Sequence, residues 1–457
     1  MAEKRLRNTI LTLLVVALVA ALLFWVDMTG GRRMRDAIAL FAIWSIAAVS
    51  LNLINGVTGI LSLGHHGFML VGGYITALLI LPGDARERIA SSARSQMNDV
   101  TLGIDLAAWF DAIGLSFLAG DAAFAVRVVL ALFIGGLVAA FFGLIVGFPS
   151  LRLRGDYLAI VTFGFGEMIR RLASTSIVAP LTNGSLGFAG VPSSFGKSLW
   201  WTFALLLFTL FVMAKLKYSS YGRALQAIRE DEIAAEAMGI DLSKHKVLAF
   251  AIAAFFAGVA GGLWVSWLGT ARLDVFLFQL TFFFLVAIAV GGTGSITGTL
   301  IGVALVVFVR QYGDPLEERY SIATWMYVVS ALLFFAGVAV VVYRSILRYR
   351  PKVPLAAYGL LLAAAVVAGI PWFAPELDFL QDTWRAFGMR AILLSSLLIV
   401  IMIFRPSGIF GRAEFSWAWL LRDQRDVPSD DERAQDAWLS NPALNKQAAD
   451  KKLSEEA

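Results

Sequence analysis

The sequence has 457 residues, of which 59% are hydrophobic and 16% charged, with a mean hydropathy of +0.75. A soluble domain is roughly 45–50% apolar and about 25% charged, so a soluble protein is excluded and an integral membrane protein is indicated. There are no cysteines, which excludes a disulfide framework or a thiolate metal site, and the net charge of +5 is spread over loops and marks no nucleic-acid binding.

A helix of about 20 mainly apolar residues crosses a bilayer, and runs of that length recur along the chain. They predict an all-α polytopic bundle of roughly ten to twelve transmembrane helices, some short or broken. Their continuity excludes a β-barrel, whose strands alternate apolar and polar residues. Residues 1–36 hold a basic tail, with Lys4, Arg5 and Arg7, and a first span from Thr9 to Val26. This start resembles a secretory signal, but no small-residue cleavage site precedes Asp27, and it is read as a retained helix.

The core, residues 37–310, opens with a span from Ala37 to Ile54 and then "NLINGVTGILSLGHHGFMLVGGY", Asn52 to Tyr74. Gly56, Gly59, Gly64, Gly67, Gly72 and Gly73 weaken a continuous helix there. Irregular backbone at membrane depth survives only when covered by protein or lining a cavity, so a broken helix facing a translocation route is expected. Asn52, Thr58, Gly59, Ser62, Gly64 and His65 are its pathway candidates, and free amide ends at the break could attract a carboxylate. His65 reads as a buried hydrogen-bonding residue near that route. Neighbouring helical residues point about 100° apart, so His65 and His66 do not make a metal site, and no metal is expected.

After a weaker span, Leu63 to Leu81, residues 83–121 mix charges of both signs and read as an external insertion with a short helix near Leu106 to Ile113. Spans from Ala122 to Gly147 and from Tyr157 to Ile177 follow. The second contains Glu167, a further pathway candidate, which could pair with Arg171 four residues on as a structural pair or serve in a relay. "TNGSLGFAGVP", with Asn183, Gly184 and Gly187, would be external and either seals the route, meets a delivering protein outside, or is an ordinary turn. "VPSSFGKS" nearly fits a phosphate loop, but Val191 stands at its first glycine and no strand precedes it, so a nucleotide site is rejected.

Beyond the span Leu199 to Ala214, residues 215–246 form a polar inner loop. In "YGRALQAIREDEIAAEAMGI", Ala224, Leu225, Ile228, Ala235 and Met238 share one broad helical face, with Arg223, Arg229, Glu230, Asp231 and Glu236 mostly elsewhere, and Gly239 can end the helix. Acids and bases balance, so docking to a protein is preferred over anionic lipid. A span from Val247 to Leu268 and two passes within Phe276 to Val309 complete the core. Small residues recur every fourth position at Gly135, Ala139, Gly143 and Gly147, at Ala254, Gly258 and Gly262, and at Gly294, Gly298 and Gly302, as helix-packing ridges do.

Residues 311–388 read as an inserted transmembrane hairpin, residues 389–411 as the final helix, and residues 412–457 as a charged, largely disordered cytoplasmic tail. The Lys and Arg bias places both termini inside, although Arg32, Arg33 and Arg35 would then face out.

No nucleotide site and no repeated facing ionisable groups supply energy, so a partner must. "GRALQAIREDEIAAEAMGIDLSKHKVLAFAIAAFFAGVAGGL" closely resembles the permease subunits of ABC importers for branched-chain amino acids. So do "LNLINGVTGILSLGHHGFMLVGGYITALL", "LRLRGDYLAIVTFGFGEMIRRL", "NGSLGFAGVP", "VGGTGSITGTLIG" and "FRPSGIFG", in that order. The resemblance implies a multi-pass protein of a bacterial inner membrane and not an enzyme. Its implied partners are a second homologous permease, two cytoplasmic ATPase subunits that bind ATP and Mg, a periplasmic solute-binding protein and membrane lipid.

It also makes residues 215–246 the coupling loop, whose family pattern Glu-Ala-Ala-x-x-x-Gly falls on Ile233, Ala234, Ala235 and Gly239, with Glu232 beside the departed first position. Arg223, Arg229 and Glu236 are the candidates for polar contacts across the docking surface, with Leu225 and Ile228 on the apolar side. His65 matches a family histidine, and His66 replaces a small residue. Urea or short amides are an alternative substrate class. An ion-coupled carrier and a non-transporting membrane scaffold are readings from other classes.

Overall fold

The computed structural model describes residues 17–94, 124–150 and 156–312, the short pieces 319–321, 383–385 and 408–411, and a few single positions or pairs between 330 and 414. The basic tail, the expected helix near Leu106, Arg152, Arg154, both spans of the inserted hairpin, most of the final helix and the C-terminal tail lie outside these residues. The chain clusters into two units, Met1–Trp25 with Ala413–Ala457, and Val26–Arg412. Of the first, a helix is described, α1 (Ala17–Thr29), which runs on past Trp25 and exposes Leu18, Leu22, Phe24 and Trp25.

The larger unit is a helical bundle. In chain order it contains α2 (Arg32–Asn52), α3 (His65–Ile80), α4 (Gly83–Arg94), α5 (Phe124–Ser150), α6 (Asp156–Ala173), α7 (Leu199–Tyr218), α8 (Ser220–Glu230), α9 (Glu232–Ala237), α10 (Leu242–Leu268), α11 (Phe278–Gly291) and α12 (Ile296–Tyr312). Among the described residues five helices are long and apolar enough to cross a membrane, and a sixth if α3 and the start of α4, bent by 111°, are one broken span. Shorter apolar helices, α1 and α12, add to the set. The chain is thus a polytopic helical membrane protein.

Its strands are two-residue and three-residue fragments. β1 (Phe188–Ala189) pairs antiparallel with β2 (Thr270–Ala271), and β3 (Arg319–Ser321) with β4 (Thr383–Arg385), which brings the two ends of the expected insertion together. The 27-residue α10 spans about 40 Å, with α8 and α9 immediately before its N-terminus and β2 just after its C-terminus, so these features mark opposite ends of the bundle.

α2 and α10 form the centre, where Trp44, Phe250 and Phe284 are fully buried. The small-residue ridges explain how backbones meet there. A Cβ at Gly258 of α10 would lie 2.6 Å from Ala139 Cβ and 3.0 Å from Gly135 O of α5, and one at Gly143 of α5 would lie 2.6 Å from Ala254 Cβ. The first two ridges therefore pack on each other, and α3 closes on the same seam through Gly72 against Gly258. The third ridge seats α12 on α11, with Gly298 against Gly291 and Gly302 against Ala287 O. In lipid such close approach replaces the hydrophobic drive as the source of helix attraction. Outward, α5 exposes Phe133, Phe141 and Phe148, and α7 exposes Leu207, Phe208 and Phe211, as lipid-facing surfaces do.

The inner loop differs from the single amphipathic helix expected. Asp231 adopts an extended conformation, and its carboxylate accepts from the amides of Ile233 and Ala234, so it ends α8 and caps α9. A side chain that satisfies two orphan amides makes two short helices more favourable than one continuous one.

Candidate functional site

The break lies where the glycines predict it. α2 passes into a π-helical turn, Leu53–Val57, continues through irregular backbone, and α3 starts at His65. Such turns insert a residue into the helical ladder and release carbonyls from it. Thr58 Oγ1 donates to Leu53 O at 2.8 Å, and Gly59 takes φ 76°, which a side chain would strain. Asn55 staples the break, accepting from Ser62 N at 3.0 Å and donating to Ser62 O at 3.3 Å.

The amide ends expected to be free are largely engaged. Leu63 N donates to Thr162 Oγ1 of α6 at 3.0 Å, and His66 N donates to Thr281 Oγ1 of α11 at 2.9 Å. Asn52, the last residue of α2, ties the break to the turn between α11 and α12: its amide donates to Ser295 O at 3.0 Å and Thr299 Oγ1 at 2.9 Å, and its carbonyl accepts from Gly294 N at 2.9 Å. His65 is fully buried, as expected, with Nε2 2.9 Å from Ser50 Oγ. Among the described residues, its Nδ1 and Ser62 Oγ are buried without a hydrogen-bond partner. Gly64 presses on Thr162 of α6.

His66 turns the other way. Its ring lies over Gly166, its Nδ1 is 3.1 Å from Thr281 Oγ1, and its Nε2 is 3.6 Å from Glu167 Oε1. Glu167 pairs with Arg170, at 2.7 Å to Nη2 and 3.0 Å to Nε, rather than with Arg171. The i, i+3 partner wins because it reaches the carboxylate with two donors. His66, Asn55, Thr162 and Thr281 were not singled out as pathway residues. The threonines lie 99 and 215 residues from the amides they cap, and no local pattern marks them.

At the bundle end marked by β2, Asn183 takes the left-handed φ of 56° and its amide donates to Gly187 O at 2.7 Å, while Gly187 packs against Ala271 O. Gly184 is also left-handed. The turn is closed on itself and on β2. The near-phosphate-loop segment forms one helical turn, Ser194–Lys197, with Gly196 pressed on the α10 backbone at Ser266 and Trp267.

At the opposite end Leu225, Ile228 and Ala235 are buried, and Arg223, Ala234, Glu236 and Gly239 are exposed. Gly239 ends α9 at φ 83° with open space around it. Met238, expected on the docking face with Leu225, Ile228 and Ala235, is 83% exposed while those three are buried within the chain, and Ile233 is 73% exposed, so the break at Asp231 has turned an apolar pair outward. Two expected surface contacts point inward instead. Arg229 Nη1 donates to Gly56 O in the π turn, and Glu232 pairs with Lys246 of α10 at 2.6 Å. Lys217, at the end of α7, is buried and donates to Gly294 O at 2.7 Å. Gly292 meets Gly408 and Gly411 of the terminal motif, whose Ile409 and Phe410 amides donate to Val290 O and Gly291 O at 2.9 and 3.0 Å. Tyr221 donates to His245 O and stacks on its ring, and burial pushes its phenol pKa up.

An interrupted membrane helix, covered by protein and tied by side chains to a polar loop with an exposed apolar edge, is an arrangement that helical transport proteins use. Comparison with known proteins gives the family. The family described as "Branched-chain amino acid transport system / permease component" matches residues 33–338. The chain is 31% identical over 338 residues to the high-affinity branched-chain amino acid transport system permease protein LivM of Escherichia coli, covering 67% of this chain and 69% of that protein. A probable LivM of Methanocaldococcus jannaschii is 27% identical over 290 residues, covering 59% and 78%, and LivH of Salmonella typhimurium is 25% identical over 287 residues, covering 59% and 82%. No solved structure matches. The chain belongs to the branched-chain amino acid transport permease family.

Proposed function

We propose that this chain is the permease subunit of an ATP-driven importer that carries branched-chain or related amino acids across a bacterial inner membrane. The observation that carries the reading is the loop of α8 and α9. It offers Ile233, Met238 and the exposed Ala234 and Glu236 to a partner, while its other face is fastened to the broken helix. A helix with an exposed apolar edge at the end of a membrane bundle fits a groove in another protein. The partners are a second, homologous permease, two cytoplasmic ATPases that hold ATP and Mg, and a periplasmic solute-binding protein. Both termini are cytoplasmic. Asn52, Thr58, Gly59, Ser62, Gly64, His65 and Glu167 border the route, and Ser62 Oγ, His65 Nδ1 and His66 Nε2, which make no hydrogen bond among the described residues, are polar atoms that could meet a passing ammonium or carboxylate. The turn around Asn183, Gly184 and Gly187 closes the outer end.

Reconstitution in vesicles tests this. Labelled leucine is expected to accumulate only with all partners and ATP present, and Met238→Glu is expected to weaken capture of the ATPases. Accumulation by the chain alone under an ion gradient would overturn the reading in favour of a self-sufficient carrier.

A further inference from the structure

We infer that Arg229 is the pin through which movement of the α8–α9 loop reaches the broken helix, with Lys217 as a second tie at the same hub. The inference rests on the coupling role proposed above and assigns a positioning residue within it. Three glycines build the socket. Arg229 donates to Gly56 O, a Cβ at Gly59 would lie 2.6 Å from Arg229 Cγ, and a Cβ at Gly294 would lie 2.9 Å from Arg229 Nη1. The side chain therefore rests between the irregular segment after α2 and the turn between α11 and α12. Both are places where the backbone leaves the helical ladder, and carbonyls outside the ladder are open to a cationic donor.

The hub is closed by further bonds. Lys217 donates to Gly294 O at 2.7 Å, and Asn52 accepts from Gly294 N at 2.9 Å and donates to Ser295 O at 3.0 Å. One cation from α8 and one from α7 thus grip the two irregular segments that Asn52 joins. A displacement of α8 has to pull Gly56 and the α11–α12 turn together or break these charge-assisted bonds. The neighbouring pair Glu232–Lys246 fastens α9 to α10, a continuous helix, and makes no hydrogen bond to the irregular segment itself. Coupling is an energetic link between two sites, so the test reads both at once.

The chain has no cysteine, so Leu61→Cys introduces a single thiol in the irregular segment, at a position 44% exposed. The complete complex in vesicles is compared with Arg229→Ala and Arg229→Lys, each with and without Leu61→Cys. Arg229→Ala is expected to leave assembly and ATP hydrolysis intact, to lower substrate moved per ATP at least about fivefold, and to abolish the nucleotide-dependent change in thiol alkylation. Arg229→Lys is expected to restore part of both. Unchanged transport per ATP and an unchanged alkylation response in Arg229→Ala would overturn the pin. Loss of assembly in Arg229→Ala with wild-type behaviour in Arg229→Lys would also overturn it, as a purely structural contact that any cation fills. Failure of the coupling reading looks different: wild-type chain would then capture no ATPase or transport without ATP.

Discussion

The seam between α5 and α10 and the break between α2 and α3 are both rich in glycine, and they use it in opposite ways. In the seam, Gly143 and Gly258 sit in regular helices and serve only by what they lack, letting two backbones approach until a Cβ would collide. In the break, Gly59 leaves the helical region altogether, and Gly56 offers its carbonyl to Arg229. The seam is held by contact and the break by hydrogen bonds from distant side chains. A rigid wall thus faces a segment whose shape is set by whatever grips it.

The largest effect should come from the seam. Gly258→Val places branched atoms where Ala139 Cβ already lies 2.6 Å from the Cβ position and where α3 also arrives at Gly72. Backbone cannot yield as a flexible side chain can, so the cost should reach the upper end of the roughly 1–3 kcal/mol typical of overpacking or exceed it. The expected result is loss of the monodisperse folded species in detergent. A Gly258→Val protein with an unchanged thermal midpoint would break the distinction, because the seam would then be as adaptable as the break.

The break should respond more gently and through other residues. Thr281→Val keeps the volume but removes the oxygen that accepts from His66 N at 2.9 Å and faces His66 Nδ1 at 3.1 Å. An unsatisfied buried donor costs about 1–3 kcal/mol, so the thermal midpoint should fall by several degrees with helical content retained. Thr281→Ser should recover most of it. A loss in Thr281→Ser with none in Thr281→Val would mean that the methyl group, and hence packing, holds the start of α3.

The different legibility of the two regions follows from the same physics. The fold class, the break and the small-residue ridges were readable because each depends on residue type at short spacing: apolar length, clustered glycines, a period of four. Which ridges meet was not readable, since Gly135 and Gly258 are joined only by the tertiary fold. Glu167 pairing with Arg170 instead of Arg171 turned on rotamer reach, which spacing does not encode. The inward course of Arg229 was hidden by treating residues 221–239 as one helix. Asp231 before Glu232 carried a legible signal, because aspartate is a favoured N-cap and an acid in the first turn is favourable there. Read as a cap, it divides the loop and turns Ile233 and Met238 outward. Thr162 and Thr281 carried none.

The smallest effect should separate local from distant capping. α10 begins with Asp241, whose carboxylate accepts from Lys244 N at 3.0 Å, whereas the start of α3 has no side-chain cap of its own and relies on Thr281 from another helix. The Lys244 amide first, and then its ammonium 3.0 Å away, hold the Asp241 carboxyl below the usual carboxylate range. A lowered value means that the charged form is favoured in the folded loop. Its contribution is present above the ordinary aspartate pKa of about 3.9 and fades as pH falls through the lowered value. Asp241→Asn keeps the capping oxygen and removes the charge, so the thermal midpoint near neutrality should hardly move. Between about pH 5 and pH 3 the variant should lose less stability than the parent, because one acid-sensitive group is gone. A large loss at neutral pH would show that the charge, and not the cap geometry, starts α10, and the contrast with the tertiary cap on α3 would then rest on electrostatics rather than on where the acceptor comes from.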